Sequence, residues 1–153
     1  MNKSVLVLIR CAVISALYFC LTTLLAPISF GAIQFRLAEA MCLLPMLFPE
    51  ASVGLCIGCA LANLSSPFGV WDVVVGSLVT LVAGFLTSKI KNVWLAGLPP
   101  ILLNAFILPI IWSVMGVGEL YILNVLSLLV SQSVVIYAGG IPLVKGLKKT
   151  MKI

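Results

Sequence analysis

Apolar residues run along the chain in long blocks separated by short polar or proline-containing breaks. The breaks divide it into six segments, at about 5–26, 37–48, 51–64, 70–87, 93–115 and 119–140. A bilayer crossing needs about 20 apolar residues as a helix, and the first segment supplies that length. The second is different. At about 1.5 Å per residue its twelve positions would reach only about 18 Å, short of a hydrocarbon core of about 30 Å. Either it enters deep in the protein or the loop before it folds inward with it. Pro27 ends the first helix, Pro49-Glu50 marks a tight turn, and Ser65, Ser66, Pro67 and Gly69 form the next loop. Pro99, Pro100 and Pro109 fall inside the fifth segment, where they free backbone carbonyls and kink the helix.

Two of the segments carry small residues at four-residue spacing. Ala12, Ala16 and Cys20 form one ridge, and Gly54, Gly58 and Ala62 form another. Such ridges let helices approach closely within a membrane. The first can serve a partner helix or a neighbour in the same chain.

Composition identifies the solvent. Of 153 residues 63% are apolar and 8% charged, against about 25% charged in soluble domains. The pattern predicts an all-α integral membrane protein, six transmembrane helices in one domain covering 1–153. A net charge of +5 would point to nucleic acid in a soluble protein, but the basic residues cluster at segment ends. With six crossings, Lys3, Arg10, Lys89, Lys91, Lys145, Lys148, Lys149 and Lys152 fall on one side, which the positive-inside rule makes cytoplasmic. Both termini are then cytoplasmic and nucleic acid is excluded as a partner. The first segment is expected to be a retained helix, because no small-residue cleavage site follows it. All five cysteines lie in apolar segments, so a disulfide framework is not expected. Cys56 and Cys59 form a C-x-x-C, but without histidine or a second cysteine pair the reading is small packing residues rather than a metal site.

The polar residues that remain are expensive to keep in such a setting, which makes each a candidate for function. The stretch 30–41 places Gln34, Arg36 and Glu39 between two apolar segments. Arg36 and Glu39 are three apart, so on a helix they would share a face and partly neutralise each other. Six crossings put these residues, with Asn63, Asp72 and Glu119, at outer helix ends, and Asn104 and Asn124 in the outer half or near the midplane. Gln132 follows Asn124, Ser127 and Ser131 along the sixth segment. The expected site is an outward-facing pocket lined by Gln34, Arg36, Glu39, Asn63, Trp71, Asp72, Asn104, Asn124 and Gln132. Plainer roles stand beside these: Asn63 as a helix cap, Asp72 as an anion at a helix N-terminus, Trp71 as an interfacial anchor, Glu39 as a salt-bridge partner of Arg36. The chain has no phosphate-binding loop, no H-E-x-x-H and no histidine at all. Glu39 and Asp72 could act as acid and base, but no nucleophile or water-activating metal accompanies them. No catalytic residue, metal or cofactor is expected. Binding and translocation of a small polar molecule fits the inventory.

Several of these positions recur in a known pattern. Ala12-x-x-x-Ala16, then Gln34-x-Arg36-x-x-Glu39, Gly58 to Asn63, Asp72-x-x-x-Gly76-Ser77 and Gly140-x-Pro142-Leu143 together resemble the QueT family over nearly the whole chain. Members are substrate-binding S components of energy-coupling factor transporters, associated with queuosine precursors of the 7-deazaguanine type. The resemblance implies a six-helix protein of the bacterial cell membrane with a lid-like first outer loop, which would start near Gly31. It also implies a membrane scaffold subunit driven by two cytoplasmic ATPases, with Ala12 and Ala16 contacting the scaffold, and a subunit that topples to carry substrate inward. Three other readings of the residues stay open. One is an S component for another vitamin. The second is a free-standing secondary carrier, since a short second helix and a proline-broken fifth occupy equivalent places in a three-plus-three repeat. The third is a non-transporting membrane subunit.

Overall fold

A computed structural model describes residues 2–30, 34–116 and 120–151. Gly31, Glu119 and Lys152 lie outside the described residues. The chain is helical: α1 (Lys3–Leu24), a helical turn Ala26–Ser29, a 3₁₀ helix Leu37–Met46, α2 (Ala51–Asn63), α3 (Gly69–Lys89), α4 (Val93–Val114) and α5 (Tyr121–Met151). Four of these, α1, α3, α4 and α5, are long and apolar enough to cross a membrane. The 3₁₀ helix and α2 are shorter.

Several prolines sit in first turns, whereas Pro45 and Pro109 lie inside helices. Pro27 lies in the first turn of Ala26–Ser29, just after α1 ends at Leu24. Pro99 and Pro100 follow the cap residue Gly97 in the first turn of Leu98–Val114, where N–H groups have no intrahelical acceptor to lose. Gly139, Gly140 and Pro142 do not end the last helix. A π-helical turn, Val135–Gly140, takes in the two glycines, and the helix continues through Pro142 to Met151 with Lys145, Lys148 and Lys149 on it. A second π turn, Asp72–Gly76, lies in α3.

Packing is closest where the glycine ridge of α2 meets α1. A Cβ on Gly58 would lie 2.7 Å from the Ser15 carbonyl oxygen and 2.8 Å from Tyr18 Cβ, and one on Gly54 would lie 2.8 Å from the Cys11 carbonyl oxygen. Ile14, Tyr18, Leu55, Cys59 and Ala62 bury themselves in this seam with Ala38, Met41, Cys42 and Leu44 of the 3₁₀ helix. Behind it the other face of the 3₁₀ helix, through Leu43, packs with Ala96, Ile101, Ile136, Ile141 and Val144. The 3₁₀ helix is therefore covered by α1 on one side and by α5 on the other, and only Leu37 on it is exposed. Ala12 and Ala16 do not join this packing. They lie on the exposed face of α1, opposite Ile14, Ser15 and Tyr18.

The outer surface is apolar and the polar residues are inside. Leu8, Leu17, Ile57, Leu78, Phe85, Phe106 and Val130 are exposed, while Arg36, Glu39, Asn63, Asp72 and Asn104 are buried. This inversion of the soluble pattern matches a hydrocarbon solvent. The two ends of the bundle differ. At one end Arg10 pairs with Glu50 at 2.9 Å, and Ile9, Arg10, Phe48, Leu147 and Met151 share an apolar groove of about 380 Å³, so the first turns of α1 and the last turns of α5 meet there. The polar cluster lies toward the other.

Candidate functional site

Asp72 is the node of the cluster. It opens the π turn of α3, is 1% exposed, and receives donors from three other parts of the chain. Arg36 Nη2 donates to Oδ2 at 3.3 Å, Ser66 Oγ donates to the same oxygen at 2.8 Å, and Trp112 Nε1 approaches Oδ1 at 3.4 Å. Asn63, the last residue of α2, donates its amide to the Asp72 main-chain carbonyl at 2.8 Å. Gly76 makes that last bond possible, because a Cβ there would fall 2.7 Å from Asn63 Nδ2. Asn63 thus does more than close a helix, and its spacing to Asp72 and Gly76 has a physical reason.

The expected pairing of Arg36 with Glu39 is not formed. Arg36 is the residue before the 3₁₀ helix, with extended backbone (φ −88°, ψ 98°), so the three-apart rule for side chains on one helix does not apply to it. Its side chain leaves the row of Glu39. It donates Nε to the Ser29 carbonyl at 3.4 Å, stands 4.9 Å over the Phe30 ring and pairs with Asp72. Among the described residues the ion pairs are Arg10–Glu50 and Arg36–Asp72.

Glu39 is satisfied by neutral donors instead. The Tyr18 hydroxyl donates to Oε1 at 2.6 Å and the Cys42 thiol to Oε2 at 2.9 Å. Residues three apart eclipse on a 3₁₀ helix, which brings Cys42 onto Glu39. Cys59 from α2 accepts from Asn63 Nδ2 and from the Thr80 hydroxyl, each at 3.5 Å, and so ties α2 to α3 about two turns beyond Asp72.

A second polar layer lies between α4 and α5, where Asn104 donates to Gln132 Oε1 at 3.4 Å. Asn104, Leu108 and Trp112 are four apart on α4, as are Asn124, Leu128 and Gln132 on α5, so each helix presents one buried stripe. Eight residues rise about 12 Å along a helix, which places Trp112 about two turns from Asn104. Trp112 stacks on Phe68, ring centroids 4.4 Å apart.

Of the residues expected in the pocket, Gln34, Arg36, Glu39, Asn63, Asp72, Asn104, Asn124 and Gln132 are all buried. Trp71 is not with them. It is 60% exposed, on the flank of α3 turned away from Asp72, where an interfacial anchor would stand. The tryptophan that joins the cluster is Trp112. Tyr18, Cys42, Ser66 and Trp112 were not singled out for function by sequence reasoning. A tyrosine in an otherwise apolar first segment and a tryptophan eight residues beyond Asn104 are the signals that could have found two of them.

Three buried oxygens beside the node have no hydrogen-bond partner among the described residues: Gln34 Oε1, Asn63 Oδ1 and Ser29 Oγ. A buried acceptor left unpaired costs about 1–3 kcal/mol, so each is a group awaiting a donor. Together with the charged node they form a buried cluster rich in donors and acceptors, the kind of polar group that orients a small ligand. Among the described residues no cluster of three or more Cys, Asp or Glu is placed to hold a metal ion.

The family model described as QueT transporter matches residues 8–149. A curated protein of Lactococcus lactis subsp. cremoris (strain MG1363), named queuosine precursor transporter QueT, is 38% identical over 77 residues, which make up 49% of this chain and 45% of that protein. No solved structure matches the chain.

Proposed function

From membership of the QueT transporter family, to which this chain belongs, we propose that it is the substrate-binding membrane subunit of an energy-coupling factor importer for a queuosine precursor. The ligand is a base or nucleoside of the 7-deazaguanine type. The name of the Lactococcus relative supports the substrate class over the half of the chain that matches. In this reading the 3₁₀ helix and α2 complete six crossings of the bacterial cell membrane, and the end holding both termini faces the cytoplasm. Ligand enters from the opposite end, under a lid formed by the loop that leads to Arg36. Gln34, Arg36, Glu39, Asn63, Asp72, Asn104, Asn124 and Gln132 line the path, and the exposed ridge of Ala12 and Ala16 receives a membrane scaffold subunit driven by two cytoplasmic ATPases.

The observation that carries this reading is the buried, partly unpaired polar node around Arg36 and Asp72 inside an apolar shell. Such groups are retained in a membrane for a ligand or an ion. A purified chain tested against a panel of nucleobases and vitamins should bind 7-deazaguanine-type compounds in preference to the rest. Tight binding of a vitamin with no response to these bases overturns the substrate. Affinity purification from native membranes should bring down the scaffold and two ATPases. Uptake by the chain alone in liposomes, driven by an ion gradient, would establish a secondary carrier instead.

A further inference from the structure

Glu39 is gripped from two directions. Tyr18 reaches it from α1 with its hydroxyl 2.6 Å from Oε1, and Cys42 reaches it from one 3₁₀ turn further on with its thiol 2.9 Å from Oε2. All three side chains are buried. The terminal torsion of a glutamate is normally broad, so a free carboxylate samples many planes. Here rotation breaks both bonds at once. Tyr18 cannot easily retreat, since its Cβ lies against Gly58, where a Cβ would be only 2.8 Å away. Cys42 is fixed by the helix that carries Glu39 itself. The neighbouring cation is committed elsewhere, Arg36 being paired with Asp72.

A carboxylate has about four lone-pair sites. Among the described residues one on each oxygen is occupied, which leaves one on each oxygen to accept a further donor. We propose that Tyr18 and Cys42 are positioning residues that fix the plane of the Glu39 carboxylate, so that its remaining lone pairs accept two adjacent N–H donors from one edge of a planar ligand. The inference rests on the reading above in which Glu39 touches substrate. It makes Tyr18 a determinant of specificity although it need not touch the ligand. A carboxylate held in one plane distinguishes a two-donor edge from a one-donor edge, whereas a rotating one accepts either.

The discriminating pair of probes is 7-deazaguanine and 7-deazahypoxanthine, which differ by the exocyclic amine. In the wild-type chain the first should bind at least tenfold more tightly. Tyr18→Phe keeps the ring against Gly58 and removes the hydroxyl; it should cut that ratio to within about threefold, and in a Glu39→Gln background it should change the ratio no further. A packing role alone would weaken both probes equally and leave the ratio intact, which overturns the proposal. A second readout needs no ligand. The carboxylate stretch of Glu39, isolated as the infrared difference between wild type and Glu39→Gln, should shift in Tyr18→Phe, and an unchanged band also overturns it. Should Tyr18→Phe fail to fold, Cys42→Ala is read by the same ratio and the same band. If wild type binds neither probe while the band responds, the substrate reading fails and the positioning contact stands.

Discussion

At the scale of single residues, the cluster is organised by which donor reaches which carboxylate oxygen. Asp72 takes the guanidinium, a hydroxyl and an indole N–H, and Glu39 takes a phenol and a thiol. The indole contact is the longest at 3.4 Å, and Trp112 also stacks on Phe68. Trp112→Phe removes the N–H while keeping an aromatic ring for the stack. It should lower stability in detergent by about 2–4 kcal/mol, because a hydrogen bond to a charged group and the buried volume of the larger ring are lost together. Trp71→Phe, at an exposed position, should change it by less than about 0.5 kcal/mol. Thermal unfolding of the two variants side by side checks the ordering, and equal losses would mean that Trp112 is not packed and bonded at Asp72. The pairing itself was only partly legible in the sequence. Gln34, Arg36, Glu39, Asn63 and Asp72 stand out because polar groups are rare in this chain. Their partners do not, because the extended backbone of Arg36 turns it away from Glu39, and spacing along the chain carries no record of that turn.

At the scale of elements, α1 presents two different faces. The inner face meets Gly54 and Gly58 so closely that a methyl group has no room, and the outer face leaves Ala12 and Ala16 exposed. Gly58→Ala should therefore destabilise the isolated chain by about 1–3 kcal/mol through overpacking. Ala12→Leu should leave stability and ligand binding unchanged while abolishing ATP-driven uptake in cells that supply the partner subunits. Parallel loss of binding in Ala12→Leu would assign the alanine ridge to the chain's own packing. The glycine ridge was readable from its four-residue spacing, and so were the long apolar helices. The course of the last helix was not. Gly139, Gly140 and Pro142 carry the usual signs of a helix end, yet a π turn takes up the strain and the lysines beyond it continue as helix. A one-residue widening of a turn leaves no periodic trace. The 3₁₀ winding of Leu37–Met46 is equally hidden, although it is what stacks Cys42 on Glu39.

At the scale of the whole molecule, the height of the apolar wall is uneven. The 13 residues of α2 expose Val53, Ile57 and Leu61 as a stripe, and at 1.5 Å per residue that helix is about 20 Å tall. The 22 residues of α4 reach about 33 Å. A bilayer about 30 Å thick matches one flank and overshoots the other, so lipid must thin on the short side, and in a thinner bilayer the longer flank takes up its excess by tilting. The protein is thus a wedge, and its resting orientation is set by bilayer thickness as well as by its own contacts. Polarised infrared spectra of oriented samples should show the mean helix tilt increasing from long-chain to short-chain phosphatidylcholine, as the longer helices lean to keep their apolar length inside a thinner core, and a tilt independent of chain length would mean that the lipid adapts to the protein instead. The lipid beside it is therefore strained at rest along one side only, at a place fixed by the thirteen residues of one short helix.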